Sequence, residues 1–474
     1  MSPKACVIGA GPNGLAAAIV LTQAGLKVDV LEAESSPGGA ARTLELTLPG
    51  FRHDFGSAVY PLGAGSPFFS SLPLINHGLE WIHSPAALAH PLDDGTAVML
   101  ERDLDESKDS FGIDGPAWDE LMRPFVERWT EFAPEILRPV SFISRHPWLM
   151  ARFGMVALQS ARAVARRFRN PRTRALFAGL AAHSFLSLDE PLSAAFAILM
   201  AVPAYAVGWP IPRGGAQSLS NALCGFLSTF GSKVNTSSPV QSLGTLANYD
   251  LLLCDLTPRQ LLKVGGQRLS DSYKRRLGRY RYGAGVFKVD YALKALIPWK
   301  ASGCLRAATV HLGGSFDEIA ASENAVRIGQ VADRPFVLLA QPSLFDSSRA
   351  PAGKHTAWAY CHVPNGSKVN MLEKLEEQIE RFAPGFRDCI LARRVFSPAE
   401  LESMDANLVG GDIGGGAMDI RQFLFRPTWR GYATSARDIY ICSSSTPPGG
   451  GVHGMCGYHA AKMALSRLDL SRRA

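Results

Sequence analysis

The sequence predicts an α/β fold in which a doubly wound parallel sheet is interrupted by a second, discontinuous domain. Three observations support this prediction. A chain of 474 residues exceeds what one hydrophobic core usually holds. The N-terminus has the pattern strand, glycine turn, helix, strand, and a further strand, glycine run and helix start lie near the C-terminus. The composition, 47% apolar and 19% charged, is typical of a globular protein.

The N-terminal segment predicts a βαβ unit. Residues 5–8 form a continuous apolar run, which is typical of a strand buried on both faces of a parallel sheet. A helix is expected over residues 15–24, ending at Gly25, and a second strand over residues 27–31. The stretch has the outline of a signal peptide, but its glycines have a mechanical role, so we expect no secretion.

A G-x-G-x-x-G turn joins the first strand to the helix. Its first glycine allows the tight turn, the second lets backbone approach a diphosphate, and the third lets the helix pack on the strand. The helix N-terminus then favours phosphate, because its free N–H groups and its dipole attract negative charge. The turn comprises Gly9, Ala10, Gly11, Pro12, Asn13 and Gly14.

An acidic residue, Glu32, follows Gly14 by 18 residues and ends the second strand. A carboxylate at this position accepts hydrogen bonds from ribose hydroxyls and repels a 2′-phosphate. Together with Ala33 beside it, Glu32 therefore predicts a Rossmann-type site that takes FAD or NAD and disfavours NADP.

Two further segments favour FAD over NAD. Residues 36–43 contain a pair of glycines that ends at Gly39, followed by Ala40. Paired glycines let backbone approach a ligand, and Arg42 supplies a fixed guanidinium for pyrophosphate or flavin carbonyl oxygens. At the far end, a strand, a glycine run over residues 447–451 and a helix start form a second turn, which an NAD-binding domain does not need.

These segments resemble, nearly end to end, the phytoene-desaturase-like FAD-dependent oxidoreductases. That family lies in the amine oxidase and phytoene desaturase branch of the glutathione-reductase-type superfamily. Within it, the chain is similar to the bacterial relatives of the pyridine nucleotide-disulphide oxidoreductase domain-containing proteins. Residues 53–61, 212–219 and 407–413 match the family as well.

The resemblance implies one FAD and adds contacts for it. The stretch with Ser57, Ala58 and Val59 is expected to pass the flavin ring, and the backbone of Val240 to meet the adenine. The C-terminal helix start is expected at the ribityl chain and the flavin O2 edge, where its dipole stabilises negative charge. The residues expected there are Gly450, Gly451, Val452 and Met455.

The alternation of patterns predicts how the two domains are interleaved. We expect an FAD-binding domain built from residues 1–65, 210–265 and 430–474, with short strands at 233–235, 240–243 and 251–254. Residues 66–209 and 266–429 are expected to form a substrate-binding domain, an antiparallel sheet with a helical insert over about residues 117–209. Apolar and aromatic residues recur there at helical spacing.

Several classes of site and partner are disfavoured. The eight cysteines are scattered without a C-x-x-C pair, which suits neither a metal site nor a disulfide framework, so we expect no metal. Without a second G-x-G-x-x-G, the redox disulfide and separate NAD domain of true disulfide reductases are also not expected. A net charge of +7 over this length does not indicate a nucleic acid partner.

No catalytic side chain is assigned, because flavin itself carries the hydride chemistry. His453 is the one candidate, since it lies at the C-terminal helix start, where it could transfer a proton, tune flavin N1, or simply cap the helix. His311 and His362 are expected to be structural. Lys288 and Asp290 lie two apart on a strand and so face the same side, where we expect a surface ion pair.

The predicted activity is FAD-dependent oxidation or desaturation of a hydrophobic small molecule by hydride transfer to flavin N5. The apolar helical insert favours an isoprenoid, carotenoid-like or lipid substrate. A redox-neutral flavin-dependent isomerase and an amine oxidase remain alternatives. The alternative that is not an enzyme is a lipid or protein carrier of the GDP-dissociation-inhibitor type.

The expected location is the cytoplasm, with a peripheral membrane contact left open by the arginine-rich stretch over residues 152–174. The longest apolar run, residues 192–207, is too short for a convincing membrane span and contains Pro203. The oligomeric state does not follow from the sequence.

Overall fold

The computed structural model describes residues 3–140 and 143–473, and for residues 469–473 it describes the backbone alone. Residues 1, 2, 141, 142 and 474 of the expected domain segments lie outside the described residues.

The strands of the described residues form two larger sheets and two short two-stranded sheets. In chain order they are β1 (Lys4–Ile8), β2 (Lys27–Leu31), β3 (Thr43–Leu44), β4 (His53–Asp54), β5 (Trp81–Ile82), β6 (Ala86–Pro91), β7 (Ala97–Glu101), β8 (Ile211–Pro212), β9 (Lys233–Asn235), β10 (Leu251–Cys254), β11 (Gly285–Leu293), β12 (Ala307–Leu312), β13 (Val337–Ala340), β14 (His355–Val363), β15 (Ile390–Phe396) and β16 (Ile439–Ile441).

The α-helices alternate with these strands and dominate the stretch between β7 and β8. In chain order they are α1 (Pro12–Gln23), α2 (Pro61–Ala64), α3 (Leu104–Ser110), α4 (Gly115–Val126), α5 (Trp129–Ile136), α6 (Pro147–Ala157), α7 (Ala161–Ala165), α8 (Pro171–Ala182), α9 (Ser193–Ala206), α10 (Gln217–Ser228), α11 (Pro258–Gly265), α12 (Asp271–Leu277), α13 (Phe316–Arg327), α14 (Leu372–Phe382), α15 (Pro398–Met404), α16 (Ile420–Leu424) and α17 (Met455–Arg473).

The first sheet is parallel and has the order β16-β10-β1-β2-β9. Val7 pairs with Leu253 on one side and with Val30 on the other, so the N-terminal strand lies in the middle of the sheet. Strands drawn from three distant parts of the chain therefore share one sheet, which confirms the doubly wound Rossmann-type prediction.

Both faces of this sheet are covered, which explains why β1 is apolar at every buried position. Ala5 and Val7 pack with α1, α10 and α17 on one face. Cys6 and Ile8 pack on the other face with α11 and α12. Because α12 belongs to this packing, the sheet is supported by residues beyond position 265; the domain boundaries themselves stay a prediction.

The second sheet has the order β15-β11-β14-β13-β12-β6-β7. Its neighbours are antiparallel except for the parallel pair of β6 and β12. One face packs against the insert helices α4 to α9 and against α13, and the other packs against α14. The predicted antiparallel sheet with a helical insert is thereby confirmed.

One local prediction is wrong. Residues 240–243 form no strand, and a 3-10 turn begins instead at Leu243. The Ser242 hydroxyl accepts a hydrogen bond from the Gly244 N–H at 3.2 Å, which caps that turn. A local side-chain bond of this kind competes with strand pairing, and the apolar pattern alone does not show it.

The two helices at the ends of the chain cross without a gap. A Cβ atom placed on Gly457 of α17 would lie 1.8 Å from the carbonyl oxygen of Asn13 in α1. Neither backbone can yield locally, so glycine at this position lets α17 lie on the first turn of α1.

We expect Gly457→Ala to destabilise the protein by about 1–3 kcal/mol, because the added methyl group separates two packed backbones. Gly154→Ala is the matched control, since Gly154 also lies in a helix but has no atom within 4 Å of its Cβ position. There the change should stabilise by about 0.5–1 kcal/mol. Urea unfolding monitored by circular dichroism measures both, and equal stabilities for the two variants would contradict the packing.

Candidate functional site

The glycine turn has the geometry that its sequence predicts. Gly9 has φ +98°, and Gly11 caps α1 without a side-chain hydrogen bond. A Cβ atom on Gly14 would lie 2.1 Å from the Gly9 oxygen, so the helix packs directly on the turn. In the part of the chain that is described, the buried Oδ1 atom of Asn13 has no hydrogen-bond partner. The helix start thus keeps an unpaired polar atom for a ligand.

Glu32 lies beneath this turn at the end of β2. Its Oε2 accepts a hydrogen bond from the Ala10 N–H at 2.6 Å, and its Oε1 accepts one from the Glu34 N–H at 2.9 Å. The side chain is buried, whereas Ala33 beside it is exposed. The carboxylate is therefore fixed next to the glycine turn; its contact with a ribose stays a prediction.

Two segments that are distant in sequence lie against the turn. A Cβ atom on Gly39 would lie 3.4 Å from the Cα atom of Gly11. One on Gly56 would lie 2.7 Å from the Cβ of Ala40, which places the stretch with Ser57, Ala58 and Val59 directly after this contact. The structure thus brings the first three predicted segments together.

The C-terminal segment lies next to these three segments. A Cβ atom on Gly63 would lie 2.8 Å from the Val452 oxygen, so the chain after Val59 reaches the C-terminal turn. Gly450 and Gly451 are within that turn and Met455 begins α17, which returns to α1 at Gly457. The four segments therefore lie against one another, although the binding roles of their residues stay predictions.

Arg42 is held by the protein itself. Its Nε donates to the Gly39 oxygen at 2.7 Å and its Nη2 to the Met404 oxygen at 2.8 Å. The guanidinium carbon lies 5.4 Å from the centroid of the Phe55 ring. Arg42 thus joins the paired-glycine segment to the C-terminal end of α15; a contact with pyrophosphate or flavin oxygens stays a prediction.

His453 has the geometry of a helix cap. Its Nδ1 accepts a hydrogen bond from the Met455 N–H at 3.0 Å, at the first residue of α17. Burial lowers the pKa of His453 to about 4. The imidazole is therefore neutral near pH 7, and its δ nitrogen is occupied by the helix start.

A cavity of about 380 Å³ lies at the end of the sheet beside Val240. Ser238 donates its N–H to the Glu32 oxygen at 2.7 Å, so the cavity adjoins the end of β2. Its lining residues are Leu31, Ser238, Pro239, Val240, Gln241, Ser242, Thr245 and Leu246. The position and apolar rim suit an adenine ring.

Asp255 is a site residue that the sequence reasoning missed. It follows β10, and its Oδ2 accepts a hydrogen bond from the Gly14 N–H at 2.9 Å. A Cβ atom on Gly11 would lie 2.8 Å from the same oxygen. Burial raises the pKa of Asp255 to about 8, and the carboxylates of Asp405 and Glu32 add to that effect. A protonated Asp255 is uncharged and therefore compatible with a diphosphate at this turn.

Lys288 and Asp290 form an ion pair inside the protein, so the predicted surface location is wrong. Both side chains are buried and hydrogen bonded to each other. Burial lowers the pKa of Lys288 and raises that of Asp290 to about 6. His53 lies 3.6 Å from Asp290, and burial lowers the pKa of His53 to about 3, so this imidazole is neutral. The alternation that places Lys288 and Asp290 on one face cannot tell which face is covered by helices.

A second buried ion pair joins two segments that are distant in the sequence. Arg349 Nη2 lies 2.6 Å from Asp54 Oδ2, and neither side chain is exposed. The other oxygen of Asp54 accepts hydrogen bonds from the Thr43 hydroxyl and the Ala216 N–H, each at 2.8 Å. Asp54 thereby anchors the segment that precedes Ser57.

Asp412 shapes a turn in a glycine-rich loop. Its oxygens accept hydrogen bonds from the Gly283 and Gly414 N–H groups, each at 2.7 Å. Near it, the buried guanidinium of Arg426 donates to the oxygens of Gly415 and Ser444 at 3.0 and 2.8 Å. Arg426 thus ties the loop around Asp412 to the strand end before the C-terminal glycine run.

The described residues contain neither a candidate metal site nor a helix that could span a membrane. No group of three or more His, Cys, Asp or Glu side chains in that part of the chain could hold a metal ion. None of the helices in the described ranges is both long enough and apolar enough to cross a membrane.

Residues 7–71 match the model of the NAD(P)-binding Rossmann-like domain. With the parallel sheet and the glycine turn, this match identifies a Rossmann-type dinucleotide-binding domain in the protein.

The proteins to which the chain is similar are oxidoreductases. The chain is 26% identical to pyridine nucleotide-disulfide oxidoreductase domain-containing protein 2 from Mus musculus, over 98% of this chain and 93% of the relative. It is 23% identical to the lycopene-forming phytoene desaturase of Pseudescherichia vulneris, over 98% and 99% of the two chains. The solved structure of an oxidoreductase from Methanosarcina mazei shares the fold, with a TM-score of 0.65 and 18% identity over 98% and 100% of the chains.

Solved amine oxidases also share this fold, among them cyclohexylamine oxidase from Brevibacterium oxydans IH-35A, with a TM-score of 0.57 and 14% identity over 99% and 100% of the chains. The chain is thus a homologue of the pyridine nucleotide-disulfide oxidoreductase domain-containing protein and of the phytoene desaturases. It fits an FAD-dependent oxidoreductase of the amine oxidase and phytoene desaturase type.

With the diphosphate of FAD at the glycine turn, Asp255 should make binding depend on pH. Its proton is present below its pKa of about 8 and lost above it. The carboxylate formed there repels the diphosphate, so we expect FAD affinity to fall by up to about 10-fold from pH 7 to pH 9. Asp255→Asn should remove this fall, because an amide carries no charge at either pH.

Fluorescence titration of the apoprotein with FAD measures these affinities. A wild-type affinity that does not change between pH 7 and pH 9 would contradict the placement of the diphosphate. So would an equal fall in the Asp255→Asn variant.

Proposed function

We propose that this protein uses FAD to oxidise or desaturate a hydrophobic small molecule of isoprenoid, carotenoid-like or lipid type in the cytoplasm. The observation that carries the proposal is an aromatic wall, defined by Phe396, Trp358 and Tyr360 of the second sheet and by Phe55, which follows β4. These side chains are buried between the sheet and the helical insert.

The residues fit FAD. The helix N-terminus at the glycine turn over residues 9–14 suits the diphosphate, and the cavity at Val240 suits the adenine. The unpaired Asn13 Oδ1 can accept a hydrogen bond from a hydroxyl group of the cofactor. When bound, FAD supplies a hydride acceptor at the flavin ring. We propose that the predicted residues hold it, namely Gly9, Gly11, Pro12, Asn13, Gly14, Glu32, Ala33, Gly39, Ala40, Arg42, Ser57, Ala58, Val59, Val240, Gly450, Gly451, Val452 and Met455.

The aromatic wall begins at the segment proposed to hold the flavin. Phe55 precedes Ser57 by two residues, and its ring centroid lies 5.9 Å from that of Phe396 on β15. Trp358 and Tyr360 on β14 are stacked at 5.5 Å. A hydrophobic molecule along this wall would be shielded from water and would have one end near the proposed flavin position.

Lys288 supplies positive charge at the same place. Its Nζ lies 5.4 Å from the centroid of the Trp358 ring and 5.5 Å from that of Phe396. Lys288 therefore occupies the aromatic faces that could otherwise attract a cationic ligand. Its proposed role is to orient groups at the wall together with Asp290.

The relatives support a hydrophobic substrate by their names. Phytoene desaturases match along nearly the full chain, and phytoene is an isoprenoid hydrocarbon. Amine oxidation is the second candidate, favoured by the stacked Trp358 and Tyr360 pair, because aromatic faces bind cations. The neighbouring Lys288 disfavours it, since a second positive charge there would be repelled.

Anaerobic reduction of the bound flavin tests the proposal. The holoprotein is mixed with phytoene, limonene or putrescine, and loss of visible flavin absorbance is recorded. We expect loss with at least one of the two hydrocarbons and none with putrescine. Trp358→Leu should slow the reaction about 10-fold or more, because it removes part of the wall.

Trp299→Leu is the matched control, since Trp299 packs in the cluster on the opposite face of the sheet. It should leave the rate unchanged. Reduction by putrescine alone would contradict the proposal and favour amine oxidation. Steady conversion of a hydrocarbon without any electron acceptor would contradict it in favour of a redox-neutral isomerase.

A further inference from the structure

Beyond Tyr360, the aromatic wall ends at a buried histidine. Trp358, Tyr360 and His362 alternate along β14 and so point to the same face of the sheet. His362 pairs with Val286 on β11, while Lys288 pairs with Tyr360. His362 is therefore a diagonal neighbour of Lys288, at a Cα separation of about 7–8 Å. It lies on the surface along which the proposed substrate would extend.

A carboxylate fixes the state of this histidine. Glu323 of α13 places its Oε2 2.7 Å from His362 Nδ1, and both side chains are buried. Because a carboxylate only accepts hydrogen bonds, the proton of the imidazole lies on Nδ1. In the neutral imidazole the other nitrogen, Nε2, is then an acceptor.

That nitrogen is unsatisfied. His362 Nε2 is buried and has no hydrogen-bond partner among the residues that the structure describes. Leaving a buried polar atom unpaired usually costs a protein stability, so such an atom calls for a partner that is a ligand or a water molecule. The Nε1 atom of Trp358, on the same strand face, is also buried and unpaired within the described ranges.

Two other buried histidines nearby, His183 and His311, do not offer such a ligand site. His183 Nε2 and His311 Nε2 lie 3.1 Å apart and share a hydrogen bond. Burial lowers the pKa of His183 to about 3 and that of His311 well below its usual value, so both rings are neutral. The remaining nitrogen of His311 faces the backbone of α8, where a Cβ atom on Gly179 would lie only 2.7 Å away. No ligand fits between them.

Phe185 packs against the His362 ring and has an unusual backbone conformation. The ring centroid of Phe185 lies 4.1 Å from that of His362. Phe185 is partly exposed, and its φ of +58° is in the left-handed region, which a bulky residue rarely adopts. Local strain of this kind is often kept where a side chain has to cover a functional group. Phe185 therefore marks the side from which a ligand can reach the imidazole.

We propose that His362 Nε2 accepts a hydrogen bond from a hydroxyl group of the substrate, and that the substrate is therefore a hydrophobic alcohol. The inference rests on the proposed function, because it places the hydrophobic part of the molecule along the aromatic wall. Glu323 is a positioning residue that keeps the accepting nitrogen free. A hydrocarbon without a hydroxyl leaves Nε2 buried and unpaired.

The test compares two ligands of the same carbon skeleton, farnesol and the hydrocarbon that lacks its hydroxyl. Both are titrated into the holoprotein, and quenching of tryptophan fluorescence gives the dissociation constants. We expect farnesol to bind at least about 10-fold more tightly, since sites built for a hydroxyl discriminate strongly against analogues without one. His362→Leu should reverse this preference.

His90→Leu is the matched control, because His90 is a buried histidine on β6 of the same sheet whose Nε2 donates to the Gly314 oxygen. It should keep the preference for farnesol. The wild-type comparison decides the matter even where a variant does not fold.

Three results would overturn the inference. The first is equal or tighter binding of the hydrocarbon by the wild type, which leaves the proposed hydrophobic substrate intact. The second is an unchanged farnesol preference in a folded, flavin-containing His362→Leu variant. The third is binding of neither ligand, which contradicts the proposed substrate class as well.

Discussion

The close approach of distant segments to the first turn of α1 is the constraint on which the rest of the structure depends. Gly39 lies against Gly11, Asp255 bonds to the Gly14 N–H, and Gly457 leaves no room beside Asn13. Each contact comes from a different part of the chain. The central position of β1 in the sheet and the packing of α17 on α1 bring these distant segments to the first turn of α1.

This arrangement also explains how much of the molecule could be predicted from the sequence. The glycine turn and Glu32 are local patterns with a fixed mechanical meaning, so the Rossmann-type sheet was predictable. The antiparallel sheet followed from alternating apolar residues and from the resemblance to a family. The strand expected at 240–243 failed because Ser242 forms a local cap that periodicity does not register.

The features that were missed depend on contacts between distant residues. Nothing around Asp255 indicates that its carboxyl group meets Gly14, 241 positions away. Strand alternation places Lys288 and Asp290 on the same face of the sheet. That face is buried only because the helical insert packs against it. The same burial gives Asp255 its raised pKa and leaves His362 Nε2 without a partner among the described residues, so the chemically distinctive groups of this protein are products of tertiary structure.

The central claim is that these converging segments form one FAD site, with Glu32 at its adenosine end. The dissociation constant of FAD for Glu32→Ala tests it directly, with Glu45→Ala as the control, since Glu45 is an exposed glutamate outside the glycine turn. Losing hydrogen bonds to a carboxylate should weaken FAD binding about 10- to 100-fold in Glu32→Ala and leave Glu45→Ala close to the wild type. Equal dissociation constants for the two variants would contradict this account of the site.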